Sequence, residues 1–316
     1  MSRSKKPIIE YRYYNLPFSF PLLLLHGDRW RISSKKSGRL HFHNCLEIGL
    51  CHSDSGIMEF EEVAVPFKAG DISCVPRYLP HTTYSSPNEA SLWSYIFLDP
   101  DSLFGTLFHN QNMSLDKLLL NNRNYQLIIN KEQYPQAYHL IISIIEEMTT
   151  QKPGYQYSVR GLMLSLCIEL YRIYSVVAKS SAPVHTPNIV FEKILIISNA
   201  IEHIHNNYMN AISIEDLALL CHLSVSHFRR IFHETMGVAP LSYLNCTRID
   251  QACSLLRSTD YSILTIAEMV GFHSISSFNR CFTKLLNMPP NTWRKQAATT
   301  YTTSTKASIL EYIGWV

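Results

Sequence analysis

Nothing in the bulk properties of this chain marks it for a membrane, for an oxidising compartment or for a polyanionic partner. Its densest apolar run, Leu22 to Leu25, is far too short for a signal core or a bilayer span, and the leading MSRSKKPIIEYRYY is polar. Among Cys45, Cys51, Cys74, Cys167, Cys221, Cys246, Cys253 and Cys281 there is no C-x-x-C pair, which argues against a zinc cage and for buried thiols over disulfides. A reducing cytoplasm is the expected location, with no membrane partner. Formal net charge is only +3, and between Lys193 and Lys295 cations scarcely outnumber carboxylates. Any case for a nucleic-acid partner therefore rests on where individual arginines sit. What the chain does have is apolar content, 46% of 316 residues, enough for two domains with a helical segment between them.

Residues 1–30 read as an arm, with Pro7, Pro17 and Pro21 excluding a long helix. Its aromatics Tyr11, Tyr13, Tyr14, Phe18 and Phe20 leave two readings open, a flexible leader or a lid over a pocket. In residues 31–105, Leu46–Cys51, Ile57–Phe60, Asp71–Val75 and Leu92–Leu98 are β-branched or aromatic segments between turn residues, so short strands are expected there, as a barrel or sandwich. The run H-F-H-N-C-L-E places His41, His43 and Glu47 at one parity, on one face of a single extended strand. A second run, A-G-D-I-S-C-V-P-R-Y-L-P-H, delivers His81. Three imidazoles and a carboxylate can ligate a divalent metal, or they can line a polar pocket for an organic ligand. These stretches resemble the two motifs of cupin barrels, with only Gly38 loosely representing the glycine before the first histidine.

Residues 106–178 change period. Tyr134, Ala137, Tyr138, Ile141, Ile145 and Met148 predict an amphipathic helix, and Val159–Val177 is apolar almost all round, so it must be covered on several sides, by the barrel and by a second copy of the chain. KSSAPVHTP, from Lys179, opens a linker over 179–190. Residues 191–297 then carry one pattern twice. Leu217, Ala218, Phe228, Arg230, Phe232 and Pro240 recur as Ile266, Ala267, Phe278, Arg280, Phe282 and Pro290. In each copy a short helix, a turn at His222 or Gly271, and a second helix with two faces are expected. Phe228, Ile231, Phe232 and Thr235 face inward in the first; Phe278, Cys281, Phe282 and Leu285 do so in the second. Ser226, His227, Arg229, Arg230 and His233, and Ile275, Ser276, Asn279, Arg280 and Thr283, are left outside. Outward Arg and Asn at such a helix start suit base edges, whereas Thr283, Lys284, Arg294 and Lys295 suit phosphates.

With I-A-x-x-x-G-F-x-S-x-S-x-F-x-R-x-F followed by P-x-x-W-R, residues 195–295 resemble the DNA-binding domain of the AraC/XylS transcription regulators, with Trp293 and Asn287 as departures. The resemblance implies an α+β protein with an N-terminal cupin-like β-barrel plus helices and a C-terminal all-α domain with two helix-turn-helix motifs. It implies a regulator and not an enzyme, an activating homodimer that contacts double-stranded DNA and RNA polymerase, and no cofactor. It places DNA contacts at Ser226, His227, Arg229, Arg230, Ile275, Ser276, Asn279, Arg280, Thr283 and Lys284. A small effector, with sugars as the family precedent, would meet His41, His43, Glu47, His81, Tyr14, Trp30 and Trp93. The competing expectation is a metal-dependent cupin enzyme fused to a DNA-binding module, with His41, His43, Glu47 and His81 as ligands. A third is a barrel that only dimerises. Ile309, Leu310, Tyr312, Ile313 and Trp315 make the tail 298–316 too apolar for a free end, so it is expected to dock on protein.

Overall fold

The computed structural model describes residues 8–14, 16–17, 20–60, 63–104, 127–180 and 189–300. Pro7 and Phe18 of the arm, the core of the predicted linker and the apolar tail lie outside the described residues. The chain divides into two compact units, Met1–Glu192 and Lys193–Val316.

The first unit holds strands β1 (Ile8–Arg12), β2 (Leu22–Leu25), β3 (Arg31–Ser33), β4 (Arg39–His43), β5 (Leu46–Cys51), β6 (Ser55–Phe60), β7 (Val63–Lys68), β8 (Ile72–Val75), β9 (Thr82–Ser85), β10 (Ala90–Leu98) and β11 (Ile128–Ile129). They form a six-stranded sheet, β11-β8-β5-β10-β2 with β3 also on β10, a three-stranded sheet β7-β6-β9, and a parallel pair β1-β4. A single bridge, His41 to His81, ties β4 to the start of β9. Among the described residues these ladders do not close into a barrel. The arm also differs from expectation: two of its segments are strands, and β1 pairs with the strand that carries His41 and His43.

Burial on both faces explains the dense apolar composition of the central strands. Trp93, Tyr95 and Phe97 of β10 register with Cys51, Gly49 and Glu47 of β5 on one face, while Leu50, Ile48 and Leu46 meet Ser94, Ile96 and Leu98 on the other. Gly49 is required where it stands, since a Cβ there would lie 2.4 Å from Ser73 Oγ and 3.2 Å from the Trp93 ring. The H-x-H-x-x-x-E run does not lie on one strand. The chain bends at Asn44 and Cys45, so His41 and His43 end one sheet pair and Glu47 begins another.

Helices α1 (Pro100–Phe104), α2 (Pro135–Thr150) and α3 (Tyr155–Ser180) complete the unit. Helix α2 buries Ala137, Ile141, Ile144 and Ile145, as its period predicts. Helix α3 buries one stripe, Val159, Met163, Leu166, Cys167, Leu170, Ile173 and Tyr174, and leaves Tyr157 and Val176 exposed. Within the chain its apolar surround is covered along this one stripe. No helix among the described residues is long and apolar enough to cross a membrane, and no disulfide joins the eight cysteines.

The second unit is helical: α4 (Ile189–Asn207), α5 (Ile214–Leu220), α6 (Val225–Met236), α7 (Pro240–Ser258), α8 (Ile263–Met269), α9 (Ile275–Leu286) and α10 (Pro290–Thr300). Ile194, Ile197, Ile201 and Ile204 form the buried stripe of α4.

Candidate functional site

Each copy of the repeat is built by the same local chemistry. Ser213 and Ser262 cap α5 and α8 by accepting from the N–H of Asp216 and Thr265 at 3.0 Å, and Ser224 and Ser274 cap α6 and α9. Gly237 and Asn287 close those second helices in the left-handed region, at φ 70° and 56°, and Pro240 and Pro290 start the helices that follow. Between the short helix and the second one the chain must also turn left-handed. His222 does so at φ 53° and Gly271 at φ 89°. At Gly271 a Cβ would come within 2.7 Å of the Tyr208 carbonyl oxygen, so a close backbone approach excludes any side chain there.

Phenylalanine pairs lock the second helices in place. Phe228 and Phe232 of α6 are fully buried with ring centroids 5.5 Å apart, and Phe278 and Phe282 of α9 repeat the arrangement at 5.6 Å. The second pair sits in a core with Ile249, Leu256, Ile266, Val270 and Phe272. With these faces buried, Ser226, His227, Arg229, Arg230 and His233 are exposed on α6, and Ser276, Asn279, Arg280, Thr283 and Lys284 on α9. Two residues depart from their predicted faces. Ile275 is half-buried and packs on the core, and Leu285 is exposed while its neighbour Leu286 packs inward. Both lie at ends of α9, where one residue, about 100° of rotation, separates the buried face from the exposed one.

The arginines differ in their company. Arg230 lies 3.3 Å from Glu234, which also pairs with Lys193 at 2.6 Å. Glu234 is held below the usual carboxylate range, first by the hydrogen bond from Lys193. Arg294, expected to face a phosphate, instead donates to the Tyr261 carbonyl at 2.6 Å. Arg248 of α7 donates to the carbonyls of Tyr208 and Asn210 at 2.7 and 2.9 Å.

In the first unit, His41, His43, Glu47 and His81 converge and are all buried. The Nδ1–H of His43 donates to Cys45 O at 2.8 Å and that of His81 to Leu79 O at 2.9 Å. In the neutral form of either ring this leaves Nε2 as the nitrogen with the lone pair. Those Nε2 atoms lie 3.2 and 3.7 Å from Glu47 Oε2. Burial pushes the Glu47 carboxyl up, but the hydrogen bonds and charge that His43 and His81 offer in their protonated forms outweigh it and hold it at about 2. Burial lowers the His41 and His43 imidazoles, so both are neutral at pH 7. Ligand atoms of His41, Glu47 and His81 all lie within 4.8 Å of one another. Tyr14 is buried beside them, stacked on Phe97 at 4.0 Å and 6.1 Å from the His43 ring. Trp93 stands apart from the cluster: it is enclosed, stacks on Tyr95 at 5.5 Å and donates its indole N–H to Ser91. Trp30 is half-exposed and touches this row through its carbonyl, which accepts from Trp93 N.

The second unit thus presents a pair of capped helix-turn-helix modules joined by one helix. Residues 217–296 match the family described as a helix-turn-helix domain. An uncharacterized HTH-type transcriptional regulator of Bacillus subtilis is 31% identical over 134 residues, 42% of this chain and 40% of that protein. The melibiose operon regulatory protein of Escherichia coli is 35% identical over 99 residues, 31% of this chain and 33% of that protein. A solved AraC-type regulator structure from Chromobacterium violaceum is 26% identical, covers 34% of this chain and 96% of that chain, and has a TM-score of 0.32. The doubled motif matches a helix-turn-helix domain, and the proteins it is similar to include transcriptional regulators. The aligned part spans less than half the length of these two curated relatives.

Proposed function

We propose that the chain is a sequence-specific DNA-binding transcription regulator that responds to a small effector held in its first unit. The observation that carries this reading is the repetition, in two modules with buried Phe pairs, of one exposed polar face: Ser226, Arg229 and Arg230, and Ser276, Asn279 and Arg280. Arginine can bond O6 and N7 of guanine together, and asparagine N6 and N7 of adenine. Helices α6 and α9 enter successive major-groove segments, with α7 fixing their separation near one helical turn. Thr283 and Lys284 contact phosphates. On this reading residues 31–105 are a cupin-like effector domain, 106–178 dimerise, 179–190 link and 191–297 bind DNA. The homodimer activates through RNA polymerase. Selection of bound sites from a random duplex pool tests it: the expected product is a motif of two elements about one turn apart. A pool that remains unenriched after repeated rounds sinks the proposal.

A second reading is favoured by the histidine tautomers. With Nδ1 of both rings committed to backbone carbonyls, two Nε2 atoms face a buried carboxylate, an arrangement that a cation among them would satisfy. His41, Glu47 and His81 would hold a divalent metal, and their donor set suits Zn, Mn, Fe or Ni. When bound, such an ion supplies Lewis acidity toward an oxygen-bearing ligand; the backbone bonds of His43 and His81 hold the rings in orientation for it. The first unit then becomes either a metal-assisted effector pocket or a cupin-type enzyme. Less than about a tenth of an equivalent of transition metal after metal-supplemented expression argues against both.

A further inference from the structure

The second unit contains a pocket of about 540 Å³ between α7 and the start of α9, lined by Asn245, Arg248, His273, Ser274, Ser277, Arg280 and Lys284, with Gly271, Phe272 and Cys281 behind them. No carboxylate lines it, and three cations do. The Arg248 guanidinium is immobilised by the Tyr208 and Asn210 carbonyls, so its charge stands in place without further ordering cost. Arg280 and Lys284 are exposed, with no ion pair among the described residues. The lining includes the first turn of a twelve-residue helix, where Ser274 caps the N–H of Ser277 and the other first-turn N–H groups have no partner within the helix.

The corresponding place in the first module lacks this character. Lys284 is replaced there by Glu234, which ties up Arg230 and Lys193, and Ser277 is replaced by His227. One charge reversal therefore separates a neutralised corner from an unopposed one.

We propose that this pocket seats a backbone phosphate of duplex DNA, which makes the joining helix α7, through Asn245 and Arg248, a contacting element of the interface as well as a spacer. The proposal rests on the DNA-binding reading and adds an asymmetry to it: the second module anchors the backbone with a shaped seat, and the first does not. A seat for phosphate oxygens is sequence-independent, so its contribution is fully present on non-specific DNA.

The test needs no operator. Binding of the full chain to a mixed-sequence 30-base-pair duplex is measured by fluorescence anisotropy over a series of salt concentrations. The parent is compared with Lys284→Gln, Asn245→Asp and Ser277→Asp. Aspartate at the third position of a helix complements the helix dipole, so Ser277→Asp is expected to fold at least as stably as the parent while placing an anion in the seat. Each variant should bind more weakly, and Lys284→Gln should lower the slope of log K against log salt by about 1. Unfolding midpoints equal to the parent's confirm that the fold is kept. If the parent binds but all three variants retain its affinity and slope, the seat is overturned and the DNA reading stands. If the parent itself binds no duplex at low salt, the DNA reading fails first. Displacement of the duplex by inorganic phosphate beyond the effect of sodium chloride at equal ionic strength would assign the pocket to a free anion and overturn the proposal.

Discussion

The two helix-turn-helix modules are the same device with different tolerances. Both use a serine cap, a left-handed turn, a buried Phe pair and a proline start for the next helix. They differ in what surrounds that frame. In the first module the turn residue His222 is exposed and its side chain points to solvent, and the outward Arg230 belongs to an ion-pair chain with Glu234 and Lys193. In the second the turn is pressed against the Tyr208 and Met209 backbone, and the outward cations are unopposed. The frame is repeated because packing demands it. The surface is not, because surface charge is free to serve different parts of a DNA contact.

The sharpest way to break the comparison is at the turn. Gly271→Ala must hold a Cβ at φ 89° and within 2.7 Å of a backbone oxygen. Left-handed strain and overpacking together are expected to cost about 3 kcal/mol. His222→Ala keeps a left-handed non-glycine residue in open surroundings and should change stability by less than about 0.5 kcal/mol. Denaturant unfolding, followed in the transition of the helical unit, measures both. Equal losses would mean that the two turns are under the same constraint.

At the outward faces, Arg280→Ala is expected to weaken specific DNA binding by about 1 to 3 kcal/mol and relax preference at one base pair. Arg230→Ala should cost less, because Arg230 must give up its contact with Glu234 on binding. That contact is exposed and worth at most about 1 kcal/mol, so the difference is modest. Competition binding at matched salt against single-base variants of a selected site distinguishes them. A larger loss for Arg230→Ala would put the main base discrimination in the first module, with its adjacent Arg229 and Arg230.

Charge transplantation probes the same difference from the other side. Glu234→Lys gives the first module the cation found at Lys284 and releases Arg230. The expected result is a salt slope steeper by about 1 to 2, with little change in base preference. An unchanged slope would show that this corner of the first module does not approach the backbone.

Much of the second unit was legible because two independent copies constrained one another: the periodic Phe, Ile and Leu positions report burial, and burial fixes which arginines remain outside. Ile275 and Leu285 escaped because they lie at helix ends, where a single residue of drift moves a side chain from one face to the other. The pocket residues Asn245 and Arg248 were readable only as an i, i+3 polar pair on the joining helix, and nothing in their spacing says that the neighbouring helix stands opposite. In the first unit the strands and the convergence of His41, His43, Glu47 and His81 were visible from alternation and motif. The bend at Asn44 was not, since parity cannot distinguish one strand from two that meet at a corner. The pairing of β1 with β4 was hidden for a different reason: parallel contacts between distant segments leave no local signature.

The smallest predicted effect asks whether the first turn stores strain that the second avoids. His222 and Asn287 both hold positive φ without being glycine, at 53° and 56°. Asparagine tolerates that region because its short amide can bond locally, whereas histidine meets more of the Cβ penalty. Replacement by glycine removes the penalty in the folded state but loosens the unfolded chain, and the two effects oppose each other. The net for His222→Gly is therefore expected to be a gain of about 0.5 kcal/mol, and for Asn287→Gly close to zero. Paired denaturant titrations resolve a difference of that size when the two variants are run side by side. A loss at His222→Gly would mean that the imidazole makes a stabilising contact in solution that outweighs its backbone strain. The difference between the two turns would then lie in their side chains, with the backbone conformation common to both.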